Sequence, residues 1–379
     1  MKKYFRIAAI SAAPVLLLVM LYTRSQAAGG VVEKNSGYRV VMGTFSRVVV
    51  VARSPQAADR CLEAAFDVQN RIEALMSDYR DDSELSKVNR YAAQGPVPVS
   101  AMTFEVLQDA IRFYRLSDGA FDVTVGPLVD LWRAAGRTNV PPTEEALAAA
   151  RRKVGSDKLI LDEKNRTVRF AVEGMRVDLG GIGKGYAVDK AVEAMQEHGA
   201  IGGLVDLGGN IRCFGQPPQG QETWRIGLQD PHVAPNELNT SQPLLVLALM
   251  NRSVATSGDY RRFVEVQGHK QSHIIDTQTG QGAAKLASDT ILAPEATTCD
   301  ALSTAVNVLG PEKGLALIER LPGVEAILIP AGPGSPPVFS SGAKAYLTQA
   351  NTSSAKAKSD DPAREAAGTK ADESGRRRN

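Results

Sequence analysis

Apolar and polar positions along this chain repeat with two different periods, and the period separates helices from strands. From about Pro55 to Met76, Leu62, Phe66, Gln69, Ile72 and Met76 lie near one helical stripe, with Gln69 as the polar exception. A second helix is predicted from about Thr103 to Leu116, stopped by Ser117-Asp118-Gly119. A third runs from Thr143 to Lys153 with Thr143 as its cap. Val188, Ala191, Val192 and Met195 share the buried face of a fourth, for which Gly199 is the stop. The last clear helix spans about Thr298 to Leu309. Ala301, Leu302, Ala305, Val306 and Leu309 form its apolar face, and Asp300, Ser303, Thr304 and Asn307 lie on the other. The β-branched run from Val40 to Ala52 predicts strands flanking Gly43. KLILDEKNRTVRF predicts a hairpin turning near Lys164-Asn165, and Met175-Arg176-Val177 the end of a short strand. Trp224 to Pro231 and Leu244 to Met250 read as further strands. The acidic stretch from Met76 to Asn89 reads as a solvated connection. After it, Phe121 and Val123 can face a core, whereas Asp122 between them needs a partner or exposure.

The stretch DLGGIGKGYAVD, Asp178 to Asp189, organises the rest. Gly180, Gly181, Gly183 and Gly185 crowd around Lys184 just ahead of the fourth helix. A glycine turn at a helix start gathers bare amide N–H groups and a positive dipole end, which suits a phosphate or another anion. The same glycines could equally serve a tight turn that packs a helix on a sheet. Two phosphate motifs are excluded. A P-loop would need glycine at Asp178 and Ser or Thr at Gly185, and the dinucleotide fingerprint would need glycine at Tyr186. Val177-Asp178-Leu179-Gly180-Gly181 recurs as Val205-Asp206-Leu207-Gly208-Gly209, and both copies read as a strand ending in a glycine turn.

With 379 residues the chain can hold one large or two smaller domains. Its 44 Lys plus Arg against 42 Asp plus Glu give no nucleic-acid signature. Lys2, Lys3 and Arg6, then the apolar Ile7 to Tyr22, then Ser25-Gln26-Ala27 describe a signal peptide or N-terminal anchor over residues 1–27. This segment lacks a cysteine, so it is not a lipidated leader. The expectation is a protein that works in the periplasm, soluble or associated with the inner membrane. The main domain is expected over 28–348, with a disordered tail over 349–379. Cys61, Cys213 and Cys299 are too few and too widely spaced for a disulfide framework or a zinc site.

Candidate chemistry is sparse. Asp300 and Thr304 are one helical turn apart and offer hard oxygen ligands of the kind Mg²⁺ takes, although a solvated polar face would look the same. His273, one of four histidines, precedes Ile274-Ile275 and could be a general base or a plain strand residue. Ser257 lacks the flanks of a nucleophile elbow, which argues against a serine hydrolase.

Taken in order, these stretches resemble the ApbE family of FAD:protein FMN transferases. The resemblance rests on Met42-Gly43-Thr44, Met76 to Asn89, Ala120-Phe121-Asp122, Asp178 to Asp189 and Gly208-Gly209-Asn210. It continues through Thr256 to Tyr260, His273-Ile274-Ile275-Asp276 and Asp300 to Thr304. It implies an α+β fold of mixed or antiparallel sheets and packed helices around a flavin cleft. It also implies Mg²⁺-dependent transfer of FMN from FAD to a Thr or Ser hydroxyl of an acceptor flavoprotein, releasing AMP. By motif position Met42, Tyr79, Ala120, Phe121, Asp122, Asp178, Lys184 and Ile275 would line the FAD site. Gly181, through its carbonyl, would hold the metal with Asp300 and Thr304, and His273 would be the base. Thr277 stands where the family often has proline. A hydrolase splitting FAD with water, and a non-catalytic flavin carrier, remain the alternatives.

Overall fold

The computed structural model describes residues 30–233, 242–258, 263–332 and 334–348. The N-terminal segment, the C-terminal tail and Asp259-Tyr260 lie outside the described residues.

The expected strands flanking Gly43 are β1 (Val32–Val41) and β2 (Thr44–Ala52). Met42 and Gly43 join them with φ of 51° and 66°. Two left-handed residues in a row are what a two-residue hairpin needs, and methionine is an unusual choice for one of them. The helix α1 (Pro55–Met76) follows, with Ser54 accepting from the Ala57 N–H at 3.2 Å. Gln69, the polar member of its buried stripe, accepts from Ser46 Oγ at 2.8 Å. Next come α2 (Glu84–Tyr91), β3 (Val97–Pro98), α3 (Ala101–Leu116), α4 (Gly126–Thr138) and α5 (Glu144–Arg151). The hairpin β4 (Leu159–Asp162) and β5 (Thr167–Phe170) precedes α6 (Gly183–Glu197). Strands β6 (Ala200–Leu207), β7 (Asn210–Gly215), β8 (Trp224–Leu228), β9 (Leu245–Leu249) and β10 (Arg252–Gly258) follow. The chain continues through β11 (Phe263–Val266), β12 (His269–Ser272) and β13 (Leu286–Ala293) to α7 (Ala296–Leu309) and α8 (Pro311–Ile318). It closes on β14 (Glu325–Pro330) and β15 (Val338–Phe339).

The architecture is α+β. One eight-stranded sheet runs in the order β1-β2-β6-β7-β10-β13-β14-β15, every neighbouring pair antiparallel. The valine run of β2 shows why the sheet is sandwiched. Val48 and Val50 belong to the core shared with α1, α6 and α7. Val49 and Val51 face the other way, into a cluster closed by Trp224, Ile226 and Leu247 of the β8–β9 pair. Burial on both faces removes the apolar–polar alternation a one-sided strand would show. A third cluster, Leu128, Trp132, Leu147, Val266 and Ile275, ties α4 and α5 to the β11–β12 pair.

Three expectations need correction. The supposed loop from Met76 to Asn89 contains the start of α2, whose only buried side chains are Leu85 and Val88. Two apolar positions leave too thin a stripe to read from spacing. Met175-Arg176-Val177 forms no strand, only a single parallel bridge between Val125 and Arg176. The reason is local: the Asn89 side-chain amide takes both the N–H and the carbonyl of Val177, at 2.7 and 2.9 Å. The two copies of the Val-Asp-Leu-Gly-Gly phrase therefore differ. Only the second ends a strand, with Gly208 and Gly209 at φ of 62° and 91° joining β6 to β7.

Candidate active site

The glycines ahead of α6 are there for close approach. None of Gly180, Gly181, Gly183 and Gly185 is among the residues with positive φ. A methyl group on Gly185 would stand 2.3 Å from the Ala296 carbonyl oxygen. One on Gly181 would stand 2.9 Å from Thr304 Oγ1 and 3.3 Å from the Phe121 ring. Both glycines let the start of α6 press against α7, and that contact brings sequence-distant residues together.

Two carboxylates exploit it. Asp300 of α7 accepts from the Gly185 N–H at 2.9 Å, so it caps the first turn of α6 from another helix. Asp189 of α6 returns the favour to α7: it accepts from the Ala296 and Thr297 N–H groups at 2.9 and 2.8 Å. Arg212 holds Asp189 at 2.6 Å. The helix start that the sequence offers to an anion is thus met by Asp300. Lys184 Nζ, expected to face phosphate, lies 3.1 Å from Asp300 Oδ1 and 2.9 Å from the Gly180 carbonyl. Asp300 is buried, so its helix face is not the solvated one that the sequence also allowed. Ser303 and Asn307 on that face are buried as well, bonded to Ser257 and Asp289.

The other residues proposed for the flavin stand around this point. Met42 reaches Gly183, where an added methyl would meet its terminal carbon at 3.8 Å. Phe121 is buried, edge-on to Phe113 and in reach of Gly181. Asp178 accepts from the Gly180 N–H at 2.8 Å. Burial pushes its carboxyl up, the neighbouring Asp78 adds to this, and Arg133 and Arg176 oppose it. Tyr79 is 82% exposed, with its hydroxyl accepting from Arg133 at 3.0 Å.

Asp122 has the partners that its burial demands, and they are the chain's own. Its carboxylate accepts from the N–H and hydroxyl of both Thr124 and Ser156, at 2.6 to 3.2 Å. Burial still leaves its carboxyl above the usual range. Both oxygens are therefore committed to shaping the 120–124 turn. Ala120 lines a separate cavity of about 470 Å³ with Asp118, Asp276, Lys285, Lys313 and Arg320. Ile275 packs in the third cluster and bridges to Gly282. His273 is exposed, in a bend just beyond β12. The cluster that holds Ile275 includes no residue of the glycine turn.

Among the described residues no group of three or more His, Cys, Asp or Glu could hold a metal. The Asp300 carboxylate, the Thr304 hydroxyl and the Gly181 carbonyl are a different donor set, all hard oxygens, from residues that are neighbours: Thr304 bonds the Asp300 carbonyl one turn back and stands against Gly181. That set fits Mg²⁺, which binds few protein ligands and keeps water and phosphate oxygens.

Asp189 and Arg212 were not singled out from the sequence. Asp189 closes the motif, and its acidic position opposite a helix start becomes meaningful only once α7 is placed.

The sequence profile of the ApbE family matches residues 42–328. An FAD:protein FMN transferase of Treponema pallidum is 36% identical over 313 residues, covering 79% of this chain and 85% of the relative. One from Vibrio cholerae is 35% identical over 282 residues, 73% of this chain and 82% of the relative. Among solved structures, the flavin transferase ApbE from Vibrio cholerae superposes with a TM-score of 0.71 at 30% identity, covering 84% of this chain and 100% of that one. The ApbE protein from Thermotoga maritima gives 0.74 at 31% identity with the same coverage. On sequence and fold together, the chain is a transferase and belongs to the ApbE family.

Proposed function

We propose that this protein transfers the FMN part of FAD to a Thr or Ser hydroxyl of an acceptor flavoprotein, releasing AMP, with Mg²⁺ bound, in the periplasm. The convergence of Gly181, Lys184, Asp300 and Thr304 carries the reading, because it joins a cation, a carboxylate and hard neutral oxygens at one helix start. The names of the relatives, FAD:protein FMN transferase, point the same way. The periplasmic setting rests on the basic-then-apolar residues 1–27 alone.

In this reading Met42, Tyr79, Phe121 and Asp178 hold the flavin end of FAD; Ala120 lines the neighbouring cavity and Ile275 packs with Leu128 and Trp132, so neither is given a flavin contact. Met42 is kept at φ 51° by its turn, and a bulky residue held in a sparse backbone region is a frequent mark of a binding site. Asp122 serves through the turn it shapes. The acceptor hydroxyl attacks the FMN-side phosphorus, the bond to the AMP oxygen breaks, and His273 takes the hydroxyl proton. Lys184, bonded to Asp300 in the free protein, would exchange that partner for phosphate oxygens when FAD binds. Mg²⁺ on Asp300, Thr304 and the Gly181 carbonyl would neutralise charge growing on those oxygens and favour departure of AMP.

Incubation with FAD and Mg²⁺, with and without acceptor protein, tests this. Transfer predicts AMP only when acceptor is present. AMP and FMN formed with water alone would indicate a hydrolase, and tight FAD binding without AMP a carrier.

A further inference from the structure

Arg133 belongs to no motif, yet it sits between two of the residues assigned to the flavin. Its Nη1 donates to Asp78 Oδ2 at 3.1 Å, and its Nη2 donates to the Tyr79 hydroxyl at 3.0 Å. The same Nη2 faces Asp178 Oδ2 at 3.6 Å, and the guanidinium carbon lies 5.2 Å from the Tyr79 ring centre. A planar fork with several donors can serve three groups at once, which a lysine cannot. The base of this fork is rigid. Its neighbour Trp132 is buried and donates to the Gly280 carbonyl at 2.7 Å, and Leu128 and Ala135 of the same helix are buried too. Arg176 completes the network, bonding Asp78 at 3.0 Å and Asp130 at 2.8 Å.

Tyr79 shows why the fork matters. With most of its surface in water, an exposed side chain keeps its rotamer freedom unless something fixes it. We infer that Arg133 is a positioning residue, which fixes the Tyr79 ring and the Asp178 carboxylate relative to each other for FAD, an inference that rests on the flavin-transferase reading. Its contacts are with Asp78, Tyr79 and Asp178, so it makes one surface out of a loop residue and a residue of the glycine turn.

The test is a double-mutant cycle on FAD binding, read by flavin fluorescence with the full chain. Arg133→Gln should weaken FAD about tenfold, the scale of one lost hydrogen bond to a charged group. Tyr79→Ala should weaken it similarly. If Arg133 acts through Tyr79, the double variant should bind within about threefold of the weaker single, because coupled residues are not additive. Arg133→Lys keeps the charge without the fork and should recover only part of the affinity. Losses that multiply in the double variant would overturn the inference. So would wild-type affinity in Arg133→Gln, or complete rescue by Arg133→Lys. Should Arg133→Gln fail to fold, the cycle is run with Arg133→Lys, and additive losses there count equally against it. A wild-type protein that binds no FAD would instead sink the flavin-transferase reading.

Discussion

Asp189 and Asp300 cap each other's helices. Asp189, on α6, accepts from the first N–H groups of α7, while Asp300, on α7, accepts from the Gly185 N–H in the first turn of α6. Each helix start is therefore finished by the other helix, and the two lock in one register. That register sets Thr304 against Gly181. A reaction centre drawn from both helices needs such a lock, because a small slip of either would separate its groups.

Asp189→Ala should therefore be costly to the fold. It removes the acceptor of two helix-start N–H groups and of the Thr297 hydroxyl, and leaves Arg212 without its close partner. A cap is worth about 0.5–2 kcal/mol, and an unpaired buried donor costs about 1–3 kcal/mol more. A loss of about 3 kcal/mol in urea unfolding is expected. Stability within about 0.5 kcal/mol of wild type would deny the capping role.

Asp300→Asn should abolish transfer and also lower stability. The sequence alone places Asp300 on a polar face whose loss would spare the fold. The structure buries it, so its removal leaves Lys184 and the Gly185 N–H short of a charged partner. Lys184 keeps a quarter of its side chain in solvent, so the cost is about 2 kcal/mol, below that of breaking a fully buried pair. Added Mg²⁺ should rescue neither effect. Wild-type transfer in limiting Mg²⁺ would remove Asp300 from the metal site.

Much of this was legible in the chain. The stripe in α1 and the buried face of α6 follow the helical period, and Gly43 marks the first hairpin. The glycines of the motif also announced a tight turn packing a helix, one of the two readings open for them, and Gly181 and Gly185 do stand against α7. Two kinds of feature were hidden. Residues 126–138 form a helix whose buried Leu128, Trp132 and Ala135 keep the helical spacing, but the run AFDVTV just ahead of it and Pro127 at its start masked where it begins. The partners of Asp122, Asp189 and Asp300 all lie on other elements, so a sequence shows the need for a partner and not its identity. Arg133 is of the same kind: its role exists only where α4 meets the loop carrying Asp78 and Tyr79.

Gly185→Ala should behave as a packing lesion. Its added carbon would fall 2.3 Å from the Ala296 backbone oxygen, and backbone cannot step aside as a flexible side chain can. Overpacking of this kind costs about 1–3 kcal/mol. The thermal midpoint should fall, and transfer should fall with it as α6 and α7 part. An unchanged midpoint would mean that the two helices are not pressed together here.

The three cysteines should be silent in the folded protein. Cys61, Cys213 and Cys299 are all buried and free. Burial raises the pKa of each, that of Cys213 to about 11, so near neutral pH none supplies the reactive thiolate. A maleimide reagent should label none of them in the native state and all of them in denaturant. Rapid native labelling would contradict the packing of the core.

The most direct measurement follows the flavin itself. The protein is incubated with FAD and Mg²⁺ together with envelope proteins of its source cell. Those proteins are then separated in detergent, scanned for flavin fluorescence and sequenced by mass spectrometry. The account predicts a fluorescent protein whose peptide carries FMN on a Thr or Ser, with AMP released in equal amount and both lost in Asp300→Asn. Free FMN and AMP with no flavin on any protein, or FAD bound and left whole, would contradict it.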